Sequence, residues 1–191
     1  MRRLGILASG RGTILQALLD EGLAVAVVVV DRPCGATKRA EAAAVPVEVV
    51  ERDSFGADFD RAAYTRRVLE VLQRYEVDLV AMAGFMTILE QSIHDVYGGR
   101  ITNTHPSLLP AFKGAHAVED ALAAGVKVSG CTVHFATLEV DEGPILAQEA
   151  VRVLGDDTAE SLHERIKEAE RRLYPQVLRD LVARDLMKGN V

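Results

Sequence analysis

Short apolar runs and amphipathic stretches take turns along the first hundred residues. Residues 4–8 carry no polar position, which predicts a buried strand, and residues 13–22 then repeat Leu15, Leu18 and Leu19 at helical spacing up to Gly22. Residues 25–30 are valines broken by one alanine. β-Branched residues without polar alternation mark a strand buried on both faces, as in a parallel sheet covered by helices. The pattern continues with a helix over 36–44, a strand over 45–50, a charged amphipathic helix over 59–75 and a strand over 77–83. Gly84-Phe85-Met86 makes the next turn, and a short helix over 88–97 stops at Gly98-Gly99. Successive βα units joined by right-handed crossovers predict an α/β fold with an open, doubly wound, mostly parallel sheet.

A fifth strand starts at Ile101, and after it the style changes. Residues 105–110 form a proline-bounded loop, and residues 116–124 a helix ended by Gly125. Two apolar-rich strands, 127–135 and 144–153, are joined by residues 136–143 and predict an antiparallel excursion in the C-terminal half. A last helix runs over 158–183, with Asp156 or Asp157 near its N-cap and Pro175 as a kink or restart. With no repeat, low-complexity stretch or linker in 191 residues, the expectation is a single domain over 1–191.

Composition narrows the partners. Twenty-two basic against 28 acidic residues give a net charge of −6, which argues against nucleic acid and leaves room for small anionic substrates held by local donors. The apolar run 23–30 is too short to span a bilayer, and the N-terminus lacks the apolar core of a signal peptide, so no membrane and a cytoplasmic location are expected. Cys34 and Cys131 form no Cys/His metal pattern; they read as free thiols in the core, and no metal is expected.

Two local motifs carry chemistry. Ser9-Gly10-Arg11-Gly12-Thr13 joins the first strand to the first helix, where glycines permit a tight turn and helix-start N–H groups attract a phosphate. The loop lacks the lysine of a Walker motif, and Leu15 stands where a dinucleotide fingerprint needs its third glycine. Asp31 at the end of the second strand still imitates a ribose-binding acid, so a dinucleotide reading stays open beside phosphate binding and a plain βα turn. The second motif is Asn103-Thr104-His105-Pro106 at the end of the fifth strand. Alternation sets Asn103 and His105 on one side, where an amide can donate to an oxyanion and an imidazole can move a proton. A carboxylate would steady such a ring, and Asp141 is the candidate. On spacing alone, His105 is equally readable as a histidine packed under a proline turn. His134 reads as a core or supporting histidine, and His116 as a helix-cap or site residue.

These segments, residues 7–16, 83–89, 103–110, 130–135 and 141–145, resemble the phosphoribosylglycinamide formyltransferases among the folate-dependent formyltransferases. The resemblance runs in order from Leu4 to about Leu178. It implies a Rossmann-like formyltransferase fold, with 10-formyltetrahydrofolate as co-substrate and no metal. The implied reaction is formyl transfer to the amine of 5′-phosphoribosylglycinamide, a step of purine synthesis. Asn103, His105 and Asp141 match the catalytic trio. Gly12, Thr13 and Ile14 match the phosphate loop, and Met86 and Glu170 the contacts to the glycinamide end. Arg61, Met86, Thr87, Ile88, Leu89, Asn103, Thr137 and Asp141 match folate contacts, with His116 and His134 in support. Ile14, Thr87 and Lys113 depart from the family's usual Asn, Arg and Pro.

Relatives that act on initiator tRNA or hydrolyse formyltetrahydrofolate are expected to carry further domains, so the single short chain favours the phosphoribosylglycinamide reaction. An NAD-dependent oxidoreductase and a non-catalytic phosphosugar-binding protein are the alternatives from other classes. The partners expected are small-molecule substrates, with a homodimer left open.

Overall fold

The computed structural model describes residues 2–54, 56 and 58–188. Among the described residues, seven strands and six helices follow one another as β1 (Leu4–Ala8), α1 (Thr13–Asp20), β2 (Val25–Val30), α2 (Gly35–Ala42), β3 (Val47–Val49), α3 (Arg61–Arg74), β4 (Leu79–Met82), α4 (Gln91–Tyr97), β5 (Ile101–His105), α5 (Ala117–Ala123), β6 (Val128–Phe135), β7 (Ile145–Arg152) and α6 (Ala159–Lys188). The strands form a mixed sheet in the order β3-β2-β1-β4-β5-β6-β7. The chain gathers into two compact units, residues 1–102 and 103–191.

In the first unit β1 pairs in parallel with both β2 and β4, and β2 with β3. Every residue of β1 is buried, as are Val27 to Val30 of β2, which is what all-apolar runs without alternation require. Leu15 and Leu18 of α1 and Val68 and Leu72 of α3 are likewise buried. Each such side chain contributes about 1.5–3 kcal/mol relative to an exposed position. The strand order reverses between β1 and β4, the switch point where open α/β sheets bind ligands beyond their strand ends. The loops leaving β1 and β4 there are residues 9–12 and 83–90.

In the second unit β6 and β7 pair antiparallel, Val128 opposite Arg152, with a register shift at His134. Val118 of α5, Cys131 of β6 and Leu162, Ile166 and Ala169 of α6 form its core.

Two local expectations shift. Helix α4 begins at Gln91 rather than at 88, because Phe85, Thr87 and Leu89 are buried while Met86 and Ile88 are exposed, the period of extended chain. The Glu90 N–H, bonded to the Thr65 hydroxyl at 3.0 Å, holds this segment against α3. Pro175 lies inside one continuous helix: Tyr174 and Leu178 are completely buried on either side, so packing carries α6 past the missing N–H.

Candidate active site

The Asn103–His105 motif, Asp141 and His134 meet within the second unit. His105 Nδ1 lies 3.3 Å from Asp141 Oδ2, with both side chains almost wholly buried. The other ring nitrogen, Nε2, lies 2.8 Å from the Phe112 carbonyl oxygen. Both ring nitrogens thus face oxygen atoms that can accept a hydrogen bond. Asp141 adopts φ 57° in the β6–β7 connection, and its Oδ2 also accepts the Gly114 N–H at 2.9 Å. Gly143, two residues on, has no room for a side chain: a Cβ there would lie 1.8 Å from the Phe135 carbonyl oxygen. The turn that presents the acid is therefore fixed from both ends.

His134 orients the amide. Its Nδ1 lies 2.9 Å from the Phe135 carbonyl oxygen and its Nε2 3.2 Å from Asn103 Nδ2. Burial lowers the His134 pKa and so favours the neutral ring, and the Phe135 carbonyl beside Nδ1 favours the proton on that nitrogen. Nε2 then accepts from the Asn103 amide, which fixes the NH₂ edge and leaves its second hydrogen to donate elsewhere.

Thr104 lies between these residues on β5 and by strand alternation points the opposite way. Its hydroxyl donates to Glu170 Oε1 at 2.9 Å. Glu170 is 4% exposed, and burial pushes its carboxyl up to about 7. The structure thus joins Glu170 to β5 through Thr104 rather than to the trio.

The loop after His105 is anchored by residues that sequence reasoning missed. Thr132 Oγ1 donates to the Ser107 carbonyl at 2.7 Å and accepts from the Leu109 N–H at 3.0 Å. Gln148 Nε2 reaches both the Leu109 carbonyl and Thr132 Oγ1 at 2.9 Å. Nothing local in the sequence names the partners of Thr132. His116 is exposed at the start of α5 and makes no side-chain cap bond. Thr137 is exposed, its hydroxyl donating to the Glu139 carbonyl at 3.0 Å. Lys113 pairs with Glu142 at 2.8 Å on the surface.

Within the first unit, Gly12 caps α1 at φ 72°, a conformation that disfavours other residues. The first intrahelical bond runs from the Gln16 N–H to the Gly12 carbonyl at 2.9 Å, so the N–H groups of Thr13, Ile14 and Leu15 have no acceptor within the helix. Ile14 is buried and contributes no side-chain donor. Met86 and Ile88 are 65% and 46% exposed, whereas Thr87 and Leu89 are buried and turn their side chains inward. Arg61 opens α3 as an exposed residue.

The dinucleotide reading of Asp31 fails on this geometry. Its carboxylate is buried, takes the Ser9 hydroxyl at 2.9 Å and lies 3.3 Å from Arg32 Nε. Ser9 Oγ in turn accepts the Met86 N–H at 3.2 Å. Asp31 therefore braces the β1 and β4 loops instead of offering itself to a ribose. Cys34 is partly buried and Cys131 buried; burial pushes the Cys131 thiol up to about 12, which makes it a packing residue. Among the described residues no group of three or more His, Cys, Asp and Glu could hold a metal ion, and no helix is long and apolar enough to cross a membrane.

The profile of the formyl transferase family matches residues 2–178. The chain belongs to that family. It is 48% identical over 176 residues to the phosphoribosylglycinamide formyltransferase of Mycobacterium tuberculosis strain H37Rv, covering 90% of this chain and 80% of the relative. It is also 43% identical over 183 residues to the trifunctional purine biosynthetic protein adenosine-3 of Gallus gallus, of which it spans only 18%. The crystal structure of phosphoribosylglycinamide formyltransferase from Anaplasma phagocytophilum superposes with a TM-score of 0.88 at 40% identity, over 96% of this chain and 88% of that one. The sheet order with its antiparallel β6–β7 pair is thus a formyl transferase architecture.

Proposed function

We propose that this protein transfers the formyl group of 10-formyltetrahydrofolate to the primary amine of 5′-phosphoribosylglycinamide, giving the N-formyl product and tetrahydrofolate. The observation that carries the proposal is the buried His105–Asp141 pair at 3.3 Å beside an Asn103 amide oriented by His134, in a chain of the formyl transferase family.

The amine lone pair attacks the formyl carbon, and the carbonyl electrons move onto oxygen. Asn103, with one amide hydrogen spent on His134, donates its second to that oxyanion. Asp141 holds His105 at Nδ1, so Nε2 can exchange the Phe112 carbonyl for the reacting oxygen. The tetrahedral carbon then releases the folate nitrogen, which leaves with a proton, while the attacking nitrogen loses one. His105 serves as the local carrier for these protons.

The binding roles divide by chemistry. Backbone N–H groups of Gly12, Thr13 and Ile14 suit the phosphate. Met86 is assigned to the glycinamide end, and Glu170 to support of β5 through Thr104. The exposed apolar side chains of Met86 and Ile88 suit an aromatic donor such as the folate. Arg61 and Thr137 are the exposed polar folate contacts. We infer a cytoplasmic enzyme of small molecules without a nucleic-acid partner, in keeping with the net charge of −6.

The test is absorbance of 10-formyl-5,8-dideazafolate mixed with phosphoribosylglycinamide. Deformylation that needs both compounds supports the reading. Binding of the phosphosugar without deformylation would reduce the protein to a phosphosugar-binding module.

A further inference from the structure

The loop assigned to the substrate phosphate is held from behind by α2. The Ala36 N–H donates to the Gly10 carbonyl at 3.1 Å. Arg39 Nε donates to the Arg11 carbonyl at 3.0 Å, and its Nη1 to Gln16 Oε1 at 3.1 Å. Gln16 is fixed in turn by its bond to Asp20 at 2.8 Å. The approach is close enough to require glycine on both sides. A Cβ on Gly35 would lie 2.7 Å from the Arg11 carbonyl oxygen, and one on Gly12 2.6 Å from the Ala36 Cα.

Peptide planarity turns these bonds into a direction. In a trans peptide the carbonyl and the following N–H point opposite ways. Two successive carbonyls, of Gly10 and Arg11, are turned onto α2, so the N–H groups of Arg11 and Gly12 are aimed away from it. The first of these carbonyls is held by a backbone donor and the second by the Arg39 side chain. Because Ile14 brings no polar atom, anion contact at that position rests on the backbone N–H.

We propose that Arg39 is a positioning residue for phosphate binding: its guanidinium fork locks the Arg11–Gly12 peptide and α1 in the orientation that presents the loop N–H groups to a phosphate ester. The inference rests on the function proposed above for its ligand, but not for its geometry. Arg suits the role because its planar fork engages a carbonyl and an amide at once, whereas Lys presents a single point charge.

The test measures Kd by calorimetry for phosphoribosylglycinamide and for ribose 5-phosphate, with kcat and both KM values from the transfer assay. Arg39→Ala should weaken binding of both phosphate esters about tenfold, the size expected for losing a charge-assisted hydrogen bond. Its kcat should stay within about twofold and its folate KM unchanged. Arg39→Lys should recover only part of the loss, and Gly35→Ala, which crowds the same carbonyl, should reproduce it. Unchanged Kd in Arg39→Ala, full recovery in Arg39→Lys, or an equal fall in kcat and in affinity for both substrates would each overturn the assignment. If the unmodified protein binds ribose 5-phosphate yet transfers no formyl group, the reaction proposed above fails while the Kd comparison still decides the role of Arg39. If it binds neither ester, both fall.

Discussion

The trio region in residues 103–191 and the glycine loop in residues 9–14 solve the problem of holding a polar ligand by opposite means. The first spends side chains. His105, His134 and Asp141 are buried, and each is tied to a partner far along the chain. The second spends backbone: a glycine at positive φ, helix-start N–H groups, and carbonyls turned away onto α2. Buried side-chain networks are costly to leave half-made, so a single deletion there should be felt in the chemistry. Damage to a backbone cradle should appear as lost affinity with the chemical step intact.

The largest expected effect tests the side-chain half. Asp141→Asn keeps the shape of the acid but not its charge toward His105, and should lower kcat by about 10²–10³-fold, with folate KM within a few-fold. Near-normal turnover would remove Asp141 from the mechanism. The backbone half is tested by Gly12→Ala, which asks alanine to hold φ 72° against Ala36. It should cost about 1–3 kcal/mol of stability and raise KM for phosphoribosylglycinamide about tenfold, with a much smaller change in kcat. An equal loss of kcat would erase the contrast between the two regions.

A smaller effect concerns Glu170, behind β5. Its folded carboxyl titrates at about 7 against an ordinary 4.5, so between those values the folded state binds the extra proton. Stability should therefore fall as pH rises from about 4.5 to about 7 and level off above, by an amount on the order of 1 kcal/mol or more. Glu170→Gln keeps an acceptor for Thr104 and should flatten that slope in urea midpoints taken at pH 5 and pH 8. Parallel slopes for the two proteins would mean that Glu170 is not the titrating group. The smallest effect belongs to Lys113→Ala: its pair with Glu142 is exposed, so stability should shift by less than about 0.5 kcal/mol and kcat hardly at all.

The glycine loop was readable because its signal is local: two glycines between an apolar run and a helix already specify a tight turn and unpaired N–H groups. Asn103 and His105 were readable as a pair for the same reason, since strand alternation sets them on one side. Asp141 is a candidate partner by its chemistry but not by its spacing; the carbonyl of Phe112, the supports from Thr132 and Gln148, and the brace from Arg39 carry no local signal. Asp31 shows the opposite error, a residue whose position fitted a ribose-binding role until burial and Ser9 gave it a structural one.

Period and composition were enough for the alternation of strands and helices, the buried character of β1 and β2, and the antiparallel β6–β7 pair, because backbone hydrogen bonding and burial act on neighbouring residues. Which polar groups meet was left to folding. A contact near 3 Å depends on how strands and loops distant in the chain pack, and no local pattern encodes that distance. The aim of the His105 ring, the edge of the Asn103 amide and the raised pKa of Glu170 all belong to that second category.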